Sequence, residues 1–168
     1  MECSFYKEII TDHNLRPTHK KELQDANLEL RGVNPSCGDN IMLKLRIKDG
    51  VIEDGAYTGD GCAISQASAD MMLDLIIGKK EEEARRLADI FFRMIKGEAN
   101  DDEIEELEEA GALKDISHMP ARVKCAVLSW HTADHLIIQN QEHARNGQEE
   151  ELQAKMICPH CKKCMEER

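Results

Sequence analysis

Residues 41–58 read IMLKLRIKDGVIEDGAYT, and the fold class turns on how this stretch is divided. Ile41, Leu43, Leu45 and Ile47 fall on alternate positions, the period of a half-buried strand whose successive side chains point to opposite faces. Asp49-Gly50 follows, a pair suited to the positive φ angles of a tight hairpin, so Val51–Thr58 is expected to return antiparallel as a second strand. Upstream, Leu28, Leu30 and Gly32 alternate within residues 26–33, and Gly59-Asp60-Gly61 closes the far end. The expected unit is a three-stranded antiparallel meander, with the turn NPSCGD (residues 34–39) between its first two strands.

The flanks read as helical. Phe5, Ile9 and Ile10 space a short helix that Arg16-Pro17 ends, and Ile64, Ala67, Met71 and Leu75 recur at helical spacing up to Gly78. Residues 80–96 repeat the pattern with Leu87, Ile90, Phe91 and Met94. The acidic run over residues 101–109 reads as a solvated helix face with no chemistry. Pro120 suits the first turn of a last long helix carrying Val123, Val127, Trp130 and Ile137. The expected class is therefore α+β, a small three-stranded sheet packed against helices, with Trp130, Met71, Met72 and Met94 in the core. Residues 1–147 form one domain in this reading, and residues 148–168 an acidic, cysteine-containing tail.

Composition limits the partners. Lys and Arg total 22 against 33 Asp and Glu, and a net charge of -11 repels phosphate backbones and anionic headgroups. No nucleic acid and no membrane surface is expected as a partner. The first residues, MECSFYKEII, carry Glu2 where a secretory signal needs positive charge, and no apolar run approaches the roughly 18 residues of a membrane span. A cytoplasmic location is the expectation. Seven cysteines in a reducing compartment point to metal ligation or thiol chemistry before disulfides.

Three of them, Cys37, Cys62 and Cys125, fall in a strand turn, at a strand-to-helix junction and near a helix start, where backbone amides favour thiolate. Asp39 is the nearby fourth donor. Three thiolates and a carboxylate suit zinc, and soft sulfur equally suits iron or an iron-sulfur cluster. Spacing alone leaves open whether they meet or stay separate buried thiols. Pro35, Gly38, Gly59 and Gly61 place two of them in turn chemistry, not in an apolar core pattern. With a divalent metal such a set carries about -2, and Arg122 and Lys124 beside Cys125 are candidates for charge compensation or partner contact.

NPSCGD, GDGCAIS (residues 59–65) and PARVKCAVLSW (residues 120–130) resemble, in the same order, the three cysteine motifs of the U-type iron-sulfur assembly proteins. Within that family the chain is more similar to the SufU branch than to the IscU branch: Lys124 stands where IscU proteins carry a histidine, and the gap from second to third cysteine is long. The segment around residues 80–97 belongs in this reading to the SufU-type insertion.

The resemblance implies a SufE/NifU-like fold with Cys37, Asp39, Cys62 and Cys125 as ligands of one zinc ion. It further implies a persulfide acceptor, with Cys37 receiving sulfur from a PLP-dependent cysteine desulfurase of the SufS type and passing it on. The IscU branch implies the alternative, a scaffold on which a [2Fe-2S] cluster is built and transferred to apo iron-sulfur proteins or a downstream scaffold. A non-catalytic structural zinc domain is the rival from another class.

Cys158, Cys161 and Cys164 in CPHCKKC offer a second thiol site for metal or sulfur, although the strand and helix that frame a redox dithiol are absent around them. Cys3 reads as a spare thiol. His131 and His135 lie one turn apart but lack the glutamate of a zincin pattern, and they read as surface or partner-contact residues.

Overall fold

The computed structural model of the chain describes the backbone of residues 2–156 and the side-chain surroundings of residues 7–147. The order of elements is α1 (Glu2–Leu15), β1 (Leu28–Asn34), β2 (Asp39–Lys48), β3 (Val51–Asp60), α2 (Ala63–Ile76), α3 (Glu81–Ile95), α4 (Asp101–Glu106), a 3₁₀ segment (Glu108–His118) and α5 (Pro120–Met156). The chain divides into two compact units, residues 1–136 and 137–168. The first holds the sheet, α1 to α4 and the beginning of α5; the described part of the second continues α5. That helix passes Asn146-Gly147, where the composition changes, without stopping. CPHCKKC lies outside the described residues. Among the described residues no helix is long and apolar enough to cross a membrane.

The sheet is the expected antiparallel meander in the order β1-β2-β3. Asp49 and Gly50 adopt φ angles of 53° and 75°, as the hairpin between β2 and β3 requires. Every second residue of β2 is buried: Asp39, Ile41, Leu43, Leu45 and Ile47. Asp39 is thus in phase with the core-facing leucines and isoleucines, and pleat alternation alone turns its carboxylate inward at the end of the sheet. Asn34 ends β1 directly across from it, in phase with Leu30 and Gly32. Two polar side chains therefore share the buried face where the apolar rows run out.

Helices cover that face. α2 is buried along much of its length, including Met71, Met72 and Leu75. Trp130 of α5 is fully buried, stacks on Phe91 of α3 with ring centroids 4.1 Å apart, and donates its indole N–H to Ser68 Oγ of α2 at 3.0 Å. Ser68 in turn donates to the Ala126 carbonyl at 2.6 Å. One indole thus ties three helices together through both its apolar face and its polar edge. Met94 is buried as well.

The acidic run is solvated as expected but does not continue as one helix. Asn100 caps α4 in a reciprocal capping box with Glu103, but the helix ends at Glu106 and Leu107 is fully buried. Glu108 then adopts a φ of 52° and the chain tightens into the 3₁₀ segment, which buries Ala110, Leu113 and Ile116. Apolar residues inside the run draw the chain onto the core and break the helix, while its acidic side chains other than the half-buried Glu103 stay exposed, as expected.

Candidate metal centre

Three elements place the thiols. The turn after β1 is held by the Cys37 N–H donating to the Asn34 carbonyl at 3.3 Å, and Gly38 at φ 69° lets the chain return into β2. Cys37 remains half-buried on that turn. Cys62 is the N-cap of α2, its sulfur accepting the Ser65 N–H at 3.4 Å. Cys125 lies in the second turn of α5 and is fully buried.

Asp39 organises the space between them. Its Oδ1 accepts the Cys62 N–H at 2.8 Å and the Ser65 hydroxyl at 3.0 Å, and its Oδ2 accepts Asn34 Nδ2–H at 3.1 Å. Asn34 also reaches Cys125 Sγ at 3.5 Å, joining carboxylate and thiol through one amide. Burial pushes the Asp39 carboxyl up, but hydrogen bonds from the Cys62 N–H, Cys125, Ser65 and Asn34 outweigh it and hold it below the usual carboxylate range. Burial raises the Cys125 thiol far above the thiol range, and contacts with Cys37, Asp39 and Cys62 add to the shift.

Cys37, Asp39 and Cys125 each present one donor atom, all within 4.8 Å of one another. Cys62 lies beside this group, joined to Asp39 by its backbone and close enough to raise the Cys125 thiol. A tetrahedral zinc with bonds of about 2.0–2.3 Å separates its donors by about 3.5–4 Å, so two thiols and a carboxylate at this spread fit such an ion after small side-chain rotations. The Cys62 sulfur falls outside that 4.8 Å spread. Arg122 and Lys124 are exposed, and neither forms an ion pair among the described residues. His131 and His135 are exposed too; His131 stacks on Phe92 at 4.3 Å and neither joins the donor group.

Asn34 and Ser65 were not singled out in the sequence, although both lie inside the quoted motifs. The signal for Asn34 was its strand register opposite Asp39, and for Ser65 its place three residues after an N-cap. Gly61 is built into the same cradle: a Cβ there would lie 2.3 Å from Ser65 Oγ and 3.0 Å from Asp39 Oδ1. Gly61→Ala is expected to displace both partners and weaken metal retention by about 10–100-fold, the usual cost of disturbing groups that orient ligands. Chelator competition on a protein with an unchanged far-ultraviolet spectrum checks this; equal retention in both proteins would refute it.

Residues 5–126 match the NifU-like N-terminal domain family. The chain is 41% identical over 127 residues to the zinc-dependent sulfurtransferase SufU of Bacillus subtilis, covering 76% of this chain and 85% of that protein. It is 40% identical over 151 residues to the iron-sulfur cluster assembly scaffold protein IscU of Streptococcus pyogenes, covering 84% and 94%. A crystal structure from Fervidobacterium islandicum, of a protein assigned as an iron-sulfur cluster assembly scaffold for the SUF system, superposes with a TM-score of 0.71 at 31% identity, covering 77% of this chain and 94% of that one.

Proposed function

The chain belongs to the NifU-like N-terminal domain family, and on that footing we propose that it serves iron-sulfur cluster assembly as a zinc-dependent acceptor of persulfide sulfur from a PLP-dependent cysteine desulfurase. Cys37, Asp39, Cys62 and Cys125 are the proposed zinc ligands. The observation that carries the reading is the asymmetry of the donors: Asp39 and Cys125 are fully buried, whereas Cys37 and Cys62 are half-buried. Of these two sulfurs, that of Cys62 is engaged as the N-cap of α2 by the Ser65 N–H, whereas Cys37 sits on a turn where it can meet a partner.

Zinc held there would keep its thiol ligands deprotonated at neutral pH. The Cys37 thiolate attacks the outer sulfur of the desulfurase cysteine persulfide; the sulfur-sulfur bond breaks, the desulfurase thiolate leaves, and Cys37 becomes the persulfide with no net redox change. Gly38 gives the turn room to move, since a side chain there would meet nothing within 4 Å. Exposed Arg122 and Lys124 flank this end of α5 and suit contact with an acidic partner surface.

The scaffold reading rests on a different observation, the identity of 40% to a protein named as a scaffold. Against it stands the absence of any imidazole from the donor group among the described residues. Titrating the protein into a desulfurase turning over free cysteine, without iron or added reductant, separates the two. A sulfur acceptor gives saturable stimulation, which survives deletion of residues 148–168. No stimulation, with cluster formation on anaerobic reconstitution, would establish the scaffold instead, and loss on deletion would transfer the role to Cys158, Cys161 and Cys164.

A further inference from the structure

The sheet order is β1-β2-β3, and among the described residues β1 pairs with β2 alone, so its other edge is free. In an edge strand every second residue turns its N–H and C=O away from the neighbouring strand, and these groups stay open to another chain. A groove of about 380 Å³ runs along this edge, between β1 and α5. Residues 30–34 line it in succession, so both faces of the pleat border it and its opening lies at the strand edge. The α5 wall is fixed in place: a Cβ on Gly32 would lie 2.5 Å from Thr132 Oγ1 and 3.2 Å from Leu128 Cδ1, so strand and helix are already in close contact there.

The charge of this groove is opposite to that of the chain. Its lining carries Arg31, Lys124, His131 and His135 and no Asp or Glu, in a protein of net charge -11. Arg31 and Lys124 are exposed, and neither forms an ion pair among the described residues. Glu29, two residues before Arg31 on the same face of β1, instead approaches Lys44 at 3.9 Å. The two cations border the edge from different sides, Arg31 from the solvent face of the strand and Lys124 from α5. Val33, 52% exposed on the face of Arg31, adds apolar surface. Proline and bulges, which close many free edges, are absent from β1, whose register against β2 is unbroken. A cation there repels a second copy of the same edge and attracts a strand of opposite charge.

We propose that the free edge of β1 is a docking site for an extended, acidic segment of a partner protein, which adds to the sheet as a fourth strand. Backbone pairing supplies the attachment, and Arg31 and Lys124 select carboxylates on either pleat face of the incoming strand. The groove reaches Asn34, whose amide donates to Asp39 and Cys125. A docked segment therefore keeps the rest of its protein at high local concentration beside the thiol centre.

The test uses the full chain, isotope-labelled for nuclear magnetic resonance, and a capped peptide of seven residues, the length of β1, in which glutamate alternates with threonine. Saturable shifts of the backbone amides of residues 28–34 are expected. Arg31→Glu, at an exposed position, is expected to weaken this binding by about tenfold or more, with circular dichroism confirming that the variant is folded. A peptide with lysine in place of glutamate lacks the charge, and the glutamate peptide N-methylated along its backbone lacks the donors; both are expected to leave the amides unmoved. No saturable shift with the glutamate peptide, or equal binding by Arg31→Glu, would overturn the site. Equal binding of the N-methylated peptide would reduce it to a charged surface and overturn strand addition. Shifts of the same amides with protein concentration alone would assign the edge to a second copy and overturn it too. None of these results bears on sulfur acceptance at Cys37, which the desulfurase titration measures, so the two proposals fail separately.

Discussion

Cys37→Ala is expected to abolish sulfur acceptance, by about 100-fold or more in rate, while changing the free energy of unfolding of the metal-free protein by no more than about 0.5 kcal/mol. The two halves of this expectation have separate physical sources. The Cys37 thiol is half-exposed and its polar contact is a long one, 4.0 Å to the Ala121 carbonyl, so removing the sulfur costs little packing. What shapes the turn is the backbone bond from Cys37 N–H to Asn34 and the φ of 69° at Gly38, and alanine leaves both intact. The reaction, by contrast, has no other exposed thiol on this turn to serve as nucleophile. Intact-mass measurement of the added sulfur after incubation with desulfurase and cysteine checks the first half, and urea unfolding in chelator the second. Cys125→Ala is the informative companion: it removes a fully buried group and is expected to lower stability as well as metal retention. Sulfur uptake by Cys37→Ala at the rate of the unaltered protein would remove Cys37 from the mechanism.

The sheet was legible because its information is local. Alternation along residues 41–47 and the Asp49-Gly50 turn specify strands and hairpin without reference to the rest of the chain. Alternation also implied that Asp39 shares the face of Ile41, although the sequence reading took it as a fourth donor beside the thiols without using its register. The meeting of the thiols was not legible from spacing, since Cys37 and Cys125 are brought together by α5 lying against the end of the sheet. Recognition of three motifs in order supplied that link. The buried ring of His13 shows the limit most clearly: its hydrogen-bond partners Asp70 and Glu109 lie 57 and 96 residues away, and no local pattern connects them. The acidic run around Glu109 is exposed as its charge implied, but its path was not legible, because charge dominated its composition while Leu107 and Leu113, the residues that set that path, were few.

Asp39→Ala is expected to cost on the order of 2 kcal/mol in the metal-free protein, from two donors left without this acceptor in a buried site. Those donors are the Cys62 N–H and one N–H of the Asn34 amide, while the Ser65 hydroxyl keeps the Cys62 carbonyl at 3.0 Å as an acceptor. A loss of stability in this variant therefore does not by itself identify a structural metal, because the carboxylate supports the fold before any ion binds. Asp39→Asn retains an acceptor for Cys62 and Ser65 but turns an amide toward the amide of Asn34, so a smaller loss is expected. Adding Asn34→Asp to that background restores an acceptor opposite a donor, and the two changes should couple favourably in a double-mutant cycle. The pH dependence has a definite sign. The folded carboxyl lies below its ordinary value of 3.8, so its contribution is fully present above that value and is lost as pH falls through the folded pKa. The gap in stability between the unaltered protein and Asp39→Asn should accordingly narrow on acidification below about pH 4, as measured by urea unfolding in chelator. A gap that stays constant with pH, or an Asp39→Ala protein as stable as the original, would mean that the hydrogen-bonded carboxylate does not hold this end of the sheet. If the gap narrows as expected, the effect of Asp39 on metal release must be read from the difference between metal-loaded and metal-free stabilities, where the shared cost of the lost hydrogen bonds cancels.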